Sequence, residues 1–271
     1  MTSSEIRSVQ AEDGHVLKYR VWEAVGPARA TLVLLNGVMS HSEWFFPLAP
    51  ALTAGGCRVI GADRRGTGLD EVGRGDAPSA GAVVSDAVTI ISRERGDGPV
   101  YLVGWCWGSV LAINLLGKVE VDGLVMVAPG LFPSVAVQEA AAAASEAAAG
   151  RAEDEPCVGT PIAETMFTRG PHLEGFILKD PLRLKAITPR FRGLMTKLAI
   201  GATARLRRIS VPTLVLLAKG DPATDNDAVK AALEKLPDGV ATVREFVSDH
   251  GMQFDAPDEV TAAVLGFVAR L

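Results

Sequence analysis

Three residues of this sequence can act as one chemical unit. Cys106 lies in Gly104-Trp-Cys-Trp-Gly108, between an apolar run, Pro99 to Val103, and a helix-forming stretch, Val110 to Lys118. A strand that breaks sharply into a helix at a nucleophile holds that residue in a strained, presented conformation. Side chains at 104 and 108 would collide with the neighbouring strand and helix, so both positions call for glycine. The sulfur would sit at a helix N-terminus, where the dipole favours a thiolate. His250, one of four histidines, directly follows the last strand in Ser248-Asp-His-Gly251 and is the candidate general base. Asp221 closes Val211-Pro-Thr-Leu-Val-Leu-Leu-Ala-Lys-Gly-Asp221 and is the candidate acid that orients the base. Asp225 is an alternative acid whose competing role is to cap a helix from Asp227, and Asp249 adjoins His250 but points away from it if the chain there is extended. Nucleophile, acid, base is a chain order in which such triads occur. The chemistry would be acyl transfer through an acyl-Cys106 intermediate.

These residues need a frame that brings them to one crevice. Val16 to Trp22 alternates and reads as a strand; Thr31 to Leu35 is a short buried run ending at Asn36-Gly37. Trp44 to Thr53 has helical spacing and stops at Gly55-Gly56. Strands are predicted at Arg58 to Ala62, Pro99 to Val103, Gly123 to Val127, Val211 to Leu217 and Thr242 to Val247. A helix from Ser79, its N-cap, runs to Arg95, and another starts at Pro257. Strands alternating with helices imply an α/β fold with a mostly parallel central sheet flanked by helices. Cys106, Asp221 and His250 then all fall at carboxyl ends of strands, where such sheets bind ligands. From about Gly130 to Leu206 the rhythm breaks into an alanine-rich helix, Val135 to Ala149, a polar stretch, Gly150 to Pro161, and helical pieces around Phe176 and Thr188 to Ile200. That segment is too long for a loop. The expected organisation is a core of 1–129 and 207–271 with a movable helical cap over 130–206.

The bulk numbers close off other classes. A net charge of −5 gives no electrostatic footprint for nucleic acid, and the one dense basic cluster, Arg205, Arg207 and Arg208, reads as a solvated face. No apolar run reaches the length of a membrane span, and Met1 to Gln10 has no apolar core of a signal peptide. Cys57, Cys106 and Cys157 show no metal spacing and cannot all pair with one another, so a free thiol in a reducing, cytoplasmic setting is expected, with no metal and no cofactor.

The chain resembles α/β-hydrolases of the serine-lipase and thioesterase superfamily from about residue 15 to 270. The resemblance rests on the Gly104 to Gly108 elbow, the segment Asp63-Arg-Arg-Gly-Thr-Gly68, and the cap pieces Met166-Phe-Thr and Asp180-Pro-Leu-Arg183, which are similar to those of monoacylglycerol-lipase-like members. It implies the triad Cys106, Asp221 and His250, and an oxyanion turn at Asn36-Gly37-Val38 with Asn36 where histidine is usual. The oxyanion hole would use the amides of Val38 and Trp107, each such donor supplying about 3–4 kcal/mol in the transition state. Cysteine replaces serine, as it does in dienelactone hydrolases and polyhydroxyalkanoate synthases. A thiol ionises more readily than a hydroxyl and gives a thioester intermediate, reactive toward amines, thiols and carbanions as well as water. The expected substrate is a small acyl ester or thioester, free or held on CoA or a carrier protein, with hydrolysis, acyl transfer and cyclisation all open, and a catalytically silent binding protein as a further alternative. Asn36, Met39, Trp105, Met166, Phe167 and Met252 are the candidate substrate-binding residues. Trp105 and Trp107 either wall the site or pack beneath the elbow.

Overall fold

Apolar runs without a polar break form the middle of the sheet. In the computed structural model, which describes residues 4–270, the chain opens with two antiparallel strands, β1 (Glu5–Gln10) and β2 (Val16–Trp22). β1 went unread in the sequence because it is an edge strand with no buried face. Then follow β3 (Ala30–Leu35), β4 (Cys57–Ala62), β5 (Val100–Trp105) and β6 (Gly123–Val127), a small antiparallel pair β7 (Val158–Gly159) and β8 (Ala186–Ile187), and finally β9 (Thr213–Ala218) and β10 (Ala241–Phe246). The main sheet has the order β1-β2-β4-β3-β5-β6-β9-β10 and is parallel from β4 to β10. Every residue of β3, β5, β6 and β9 is buried, because helices cover both faces of these strands.

The helices are α1 (Ala49–Ala54), α2 (Ala80–Glu94), α3 (Trp107–Leu115), α4 (Val135–Ala147), α5 (His172–Gly175), α6 (Pro189–Leu206), α7 (Asn226–Leu233), α8 (Met252–Asp255) and α9 (Pro257–Val268). Ser79 caps α2 by accepting from Ala82 N at 3.0 Å. The helix expected over Trp44 to Thr53 is instead a 3₁₀ turn, Ser42–Phe45, followed by α1. Pro47 and Pro50 explain the split, since proline is tolerated in a first turn but not in a helix interior. Helix α3 begins at Trp107, not at Val110, so the elbow is itself the helix N-terminus.

Between β6 and β9 lie α4, the β7–β8 pair, α5 and α6. α6 extends past its expected end at Ile200 because α3 supports it: Asn114 Nδ2 donates to Leu198 O at 3.0 Å, and Arg205 Nη1 donates to Asn114 Oδ1 at 2.9 Å. The C-terminal half of α6 is thereby fastened to the core helix that carries the elbow.

Candidate active site

Cys106 joins β5 to α3 with φ 55° and ψ −125°. A left-handed, non-glycine backbone of this kind costs on the order of 1–3 kcal/mol and persists only where its surroundings fix it. Here Cys106 N donates to Val127 O, and its carbonyl accepts from Ser109 N and Gly130 N, all at 3.0 Å. The glycine requirement has a visible cause. A Cβ on Gly104 would lie 2.5 Å from Ser109 Cα, and one on Gly108 would run into the carbonyl of Leu35. A third glycine belongs to this packing: a Cβ on Gly130 would press at 3.0 Å on both Cys106 C and Trp107 N.

His250 and Asp221 meet beside the elbow. His250 Nδ1 lies 2.9 and 3.0 Å from the two carboxylate oxygens of Asp221, and both side chains are almost wholly buried. Asp221 Oδ1 also accepts from Ala223 N (2.8 Å) and Thr224 N (3.1 Å). Burial works against the Asp221 charge, but His250 and these two amides outweigh it and hold the carboxyl below its usual range. Burial likewise works against the His250 charge; the Cys106 sulfur and the Asp221 carboxylate outweigh it and raise the imidazole to about 10. The second ring nitrogen, Nε2, is buried without a well-formed hydrogen bond, and the Cys106 sulfur is the group it interacts with on that side. Such contacts are commonly loose before substrate binds. Asp225 does not take the acid's place: it is exposed and caps α7 by accepting from Ala228 N at 2.9 Å. Asp249 pairs with Arg169 at 3.5 Å.

A cavity of about 400 Å³ lies over the sulfur. Of the sequence candidates, Val38, Met39, Trp107 and Phe167 line it with Cys106 and His250. The others stand outside it. Asn36 Nδ2 donates to Gly37 O (3.0 Å) and Ser40 O (2.5 Å), bracing the turn after β3. Trp105 packs its ring against Trp44, Phe45, Phe167 and His250 and donates from Nε1 to His250 O at 3.0 Å. Met166 contributes its carbonyl, which accepts from His250 N at 3.1 Å. Met252 is fully buried core in α8. These four are supports of the site, not walls of the cavity. The far wall comes from α4 and α6, through Val137, Ala141, Met195 and Ala199. Small residues on facing helices make that space; the alanine-rich stretch carried the signal, but read only as helix propensity.

The backbone amides of Val38 and Trp107 donate to no protein acceptor among the described residues. A Cβ on Gly37 would lie 3.6 Å from Cys106 Sγ, so the turn bearing the Val38 amide abuts that sulfur. The segment 166–184 clamps this machinery from above. Met166 O and Phe167 O accept from His250 N and Gly251 N, and Leu184 N donates to Met39 O at 2.9 Å. Asp180 accepts from Trp44 Nε1 at 2.7 Å and lies 2.9 Å from Nε2 of His41. His41 is thus buried in this clamp.

A family model described as Serine aminopeptidase, S33 matches residues 26–248. An uncharacterized abhydrolase domain-containing protein of Dictyostelium discoideum is 28% identical over 140 residues, which span 51% of this chain but only 15% of that protein. Among solved structures, a monoacylglycerol lipase of Paleococcus ferrophilus superposes with a TM-score of 0.80 at 21% identity, covering 94% of this chain and 99% of that one. A soluble variant of monoglyceride lipase from Saccharomyces cerevisiae, in complex with a substrate analog, superposes with a TM-score of 0.84 at 15% identity, covering 100% and 97%. At these identities the likeness is one of fold.

Proposed function

We propose that this chain, which belongs to the Serine aminopeptidase, S33 family of α/β-hydrolases, is a thiol-dependent acyl-transfer enzyme of the hydrolase or thioesterase type. The observation that carries the reading is the Asp221–His250 pair set against Cys106 at the floor of an apolar cavity. His250 takes the thiol proton, and Cys106 Sγ adds to the carbonyl carbon of an ester or thioester. The carbonyl oxygen becomes an oxyanion held by the Val38 and Trp107 amides. Its collapse expels the alcohol or thiol, which takes the proton back from His250, and leaves acyl-Cys106. A second nucleophile, deprotonated by His250, then attacks the thioester and releases the Cys106 sulfur.

Water as that nucleophile gives hydrolysis. An amine, hydroxyl or carbon nucleophile gives transfer or cyclisation. The walls from Val137, Ala141 and Met195 favour an acceptor that brings its own apolar body. The donor is a small acyl ester or thioester, free or held on CoA or a carrier protein. The free cysteines suit a reducing, cytoplasmic compartment. Among the described residues no helix is long and apolar enough to cross a membrane.

The test is the intact-protein mass after incubation with a panel of acyl thioesters of graded chain length, for wild type and Cys106→Ala. Acyl adducts or turnover in wild type alone support the reading. Turnover that survives in Cys106→Ala, or no reaction with any donor, would falsify it.

A further inference from the structure

Arg64 and Arg65 are neighbours with different surroundings. Arg65 is held by carboxylates, with Nε and Nη2 on Asp86 at 2.8 and 2.7 Å and Nη1 on Asp13 at 2.6 Å. Arg64 is 6% exposed and, among the described residues, donates to no carboxylate. Its Nη1 donates to Gly37 O at 3.2 Å and its Nη2 to Val38 O at 2.8 Å. The guanidinium carbon lies 5.3 Å from the centroid of the Trp107 ring and 5.0 Å from that of Phe191. Asp63, next to it in sequence, instead accepts from the amides of Ser42 and Leu69 at 2.6 and 3.0 Å. Burial pulls the guanidinium down to about 10, only partly opposed by Asp63. A buried cation spent on two backbone carbonyls is expensive unless those carbonyls matter.

Here they do. Gly37 C=O and Val38 N–H belong to one peptide, which is trans, so the two groups point in opposite directions. Fixing the carbonyl toward Arg64 aims the Val38 N–H away from it. Asn36 Nδ2, 3.0 Å from the same Gly37 oxygen, shares that task. The other oxyanion amide belongs to Trp107, whose ring the guanidinium covers. We propose that Arg64 is a positioning residue of the oxyanion hole, fixing the Gly37–Val38 peptide and bracing Trp107. This rests on the acyl-transfer reading above.

The test compares two reactions of Cys106. Attack on an acyl thioester moves charge onto a carbonyl oxygen. Alkylation by iodoacetamide displaces iodide at a saturated carbon and develops no oxyanion. In Arg64→Met, kcat/KM for release of N-acetylcysteamine from its S-octanoyl thioester, followed by chromatography, is expected to fall about 100-fold, the low end for losing one oxyanion donor. The iodoacetamide rate at Cys106, read by peptide mass, should stay within about threefold of wild type, because Arg64 bonds to the Gly37 and Val38 carbonyls and not to the Cys106 or His250 side chain. Arg64→Lys keeps the charge but cannot fork across two carbonyls. It should show the same split at about tenfold, and it carries the test if Arg64→Met does not fold. Equal losses in both reactions, or unchanged acylation, overturn the proposal. A wild type that is alkylated but accepts no acyl donor overturns the acyl-transfer reading instead, and this proposal with it.

Discussion

Asp221→Asn should disable the base through its tautomer, and the geometry sets the size of the effect. Asp221 Oδ1 accepts from Ala223 N and Thr224 N, while both oxygens face His250 Nδ1. In asparagine the carbonyl oxygen must stay on the two amides, since the NH₂ group there would set donor against donor. The NH₂ then faces Nδ1 and donates to it. Nδ1 becomes the acceptor, the proton moves to Nε2, and the nitrogen next to Cys106 can no longer take the thiol proton. A tautomer switch of this kind costs about 10⁴ in a serine enzyme. A thiol gives up its proton more readily than a hydroxyl does, so about one decade is recovered. Thioester turnover at pH 7.5 should therefore fall about 10³-fold, or about 4 kcal/mol. The assay is kcat/KM for a thioester from pH 6 to 10 in both proteins. The residual rate of the variant should climb with pH more steeply than that of wild type. A loss under tenfold, with a pH profile like that of wild type, refutes the argument that Asp221 sets the tautomer.

Cys106→Ser should turn over the same thioester at least about 100-fold more slowly, because a displacement near 1 Å at the reacting atom costs about that much; a serine enzyme as fast as wild type would show that sulfur is not chemically selected. In Cys106→Ala the imidazole of His250 should titrate below the value of about 10 it has beside the sulfur, and an unchanged imidazole NMR titration would contradict the assigned cause. For wild type, the stabilisation from protonated His250 is fully present below its unfolded value, about 6.5, and is lost as pH rises toward its folded value, whereas that from ionised Asp221 is present above about 3.9 and lost as pH falls below it. The urea midpoint should therefore be higher at pH 5.5 than at pH 9.5, and a midpoint that rises over that interval counts against it. Amide exchange should be faster over 135–157 than over 164–188, because α4 buries only Val137 and Ala141 while the second stretch is bonded to the loops of His250 and Met39; equal protection would argue against a clamp distinct from a movable part.

The meeting of these three residues was legible because each follows a strand: Cys106 after β5 and Asp221 after β9, both buried at every position, and His250 after β10, an edge strand that is largely exposed. Parallel strands put those ends on one side, so spacing along the chain became proximity in space. The cavity walls were less legible. Methionine and tryptophan near a motif suggest a pocket, but Trp105 is the last residue of a strand buried at every position, and its ring packs against Trp44, Phe45 and Phe167. Trp107, two residues on and already in α3, lines the cavity. Ala141 and Ala199 line it by being small, which no residue-type rule flags. The Arg64 contacts and the His41–Asp180 pair join residues far apart in sequence, and nothing local announces them.

The clamp over 166–184 separates two kinds of change open to this protein. Met166, Phe167 and Leu184 hold the backbones of His250, Gly251 and Met39 through main-chain groups, and Asp180 adds side-chain bonds to His41 and Trp44. α4 touches the reaction only through the side chains it turns toward the cavity. Ligand preference can therefore drift by exchanging alanines for bulkier residues along α4, with no retuning of the proton chemistry beneath. A graft of α4 from a relative should carry its chain-length preference with it, whereas a graft of 166–184 would have to reproduce every backbone hydrogen bond before the enzyme turned over at all.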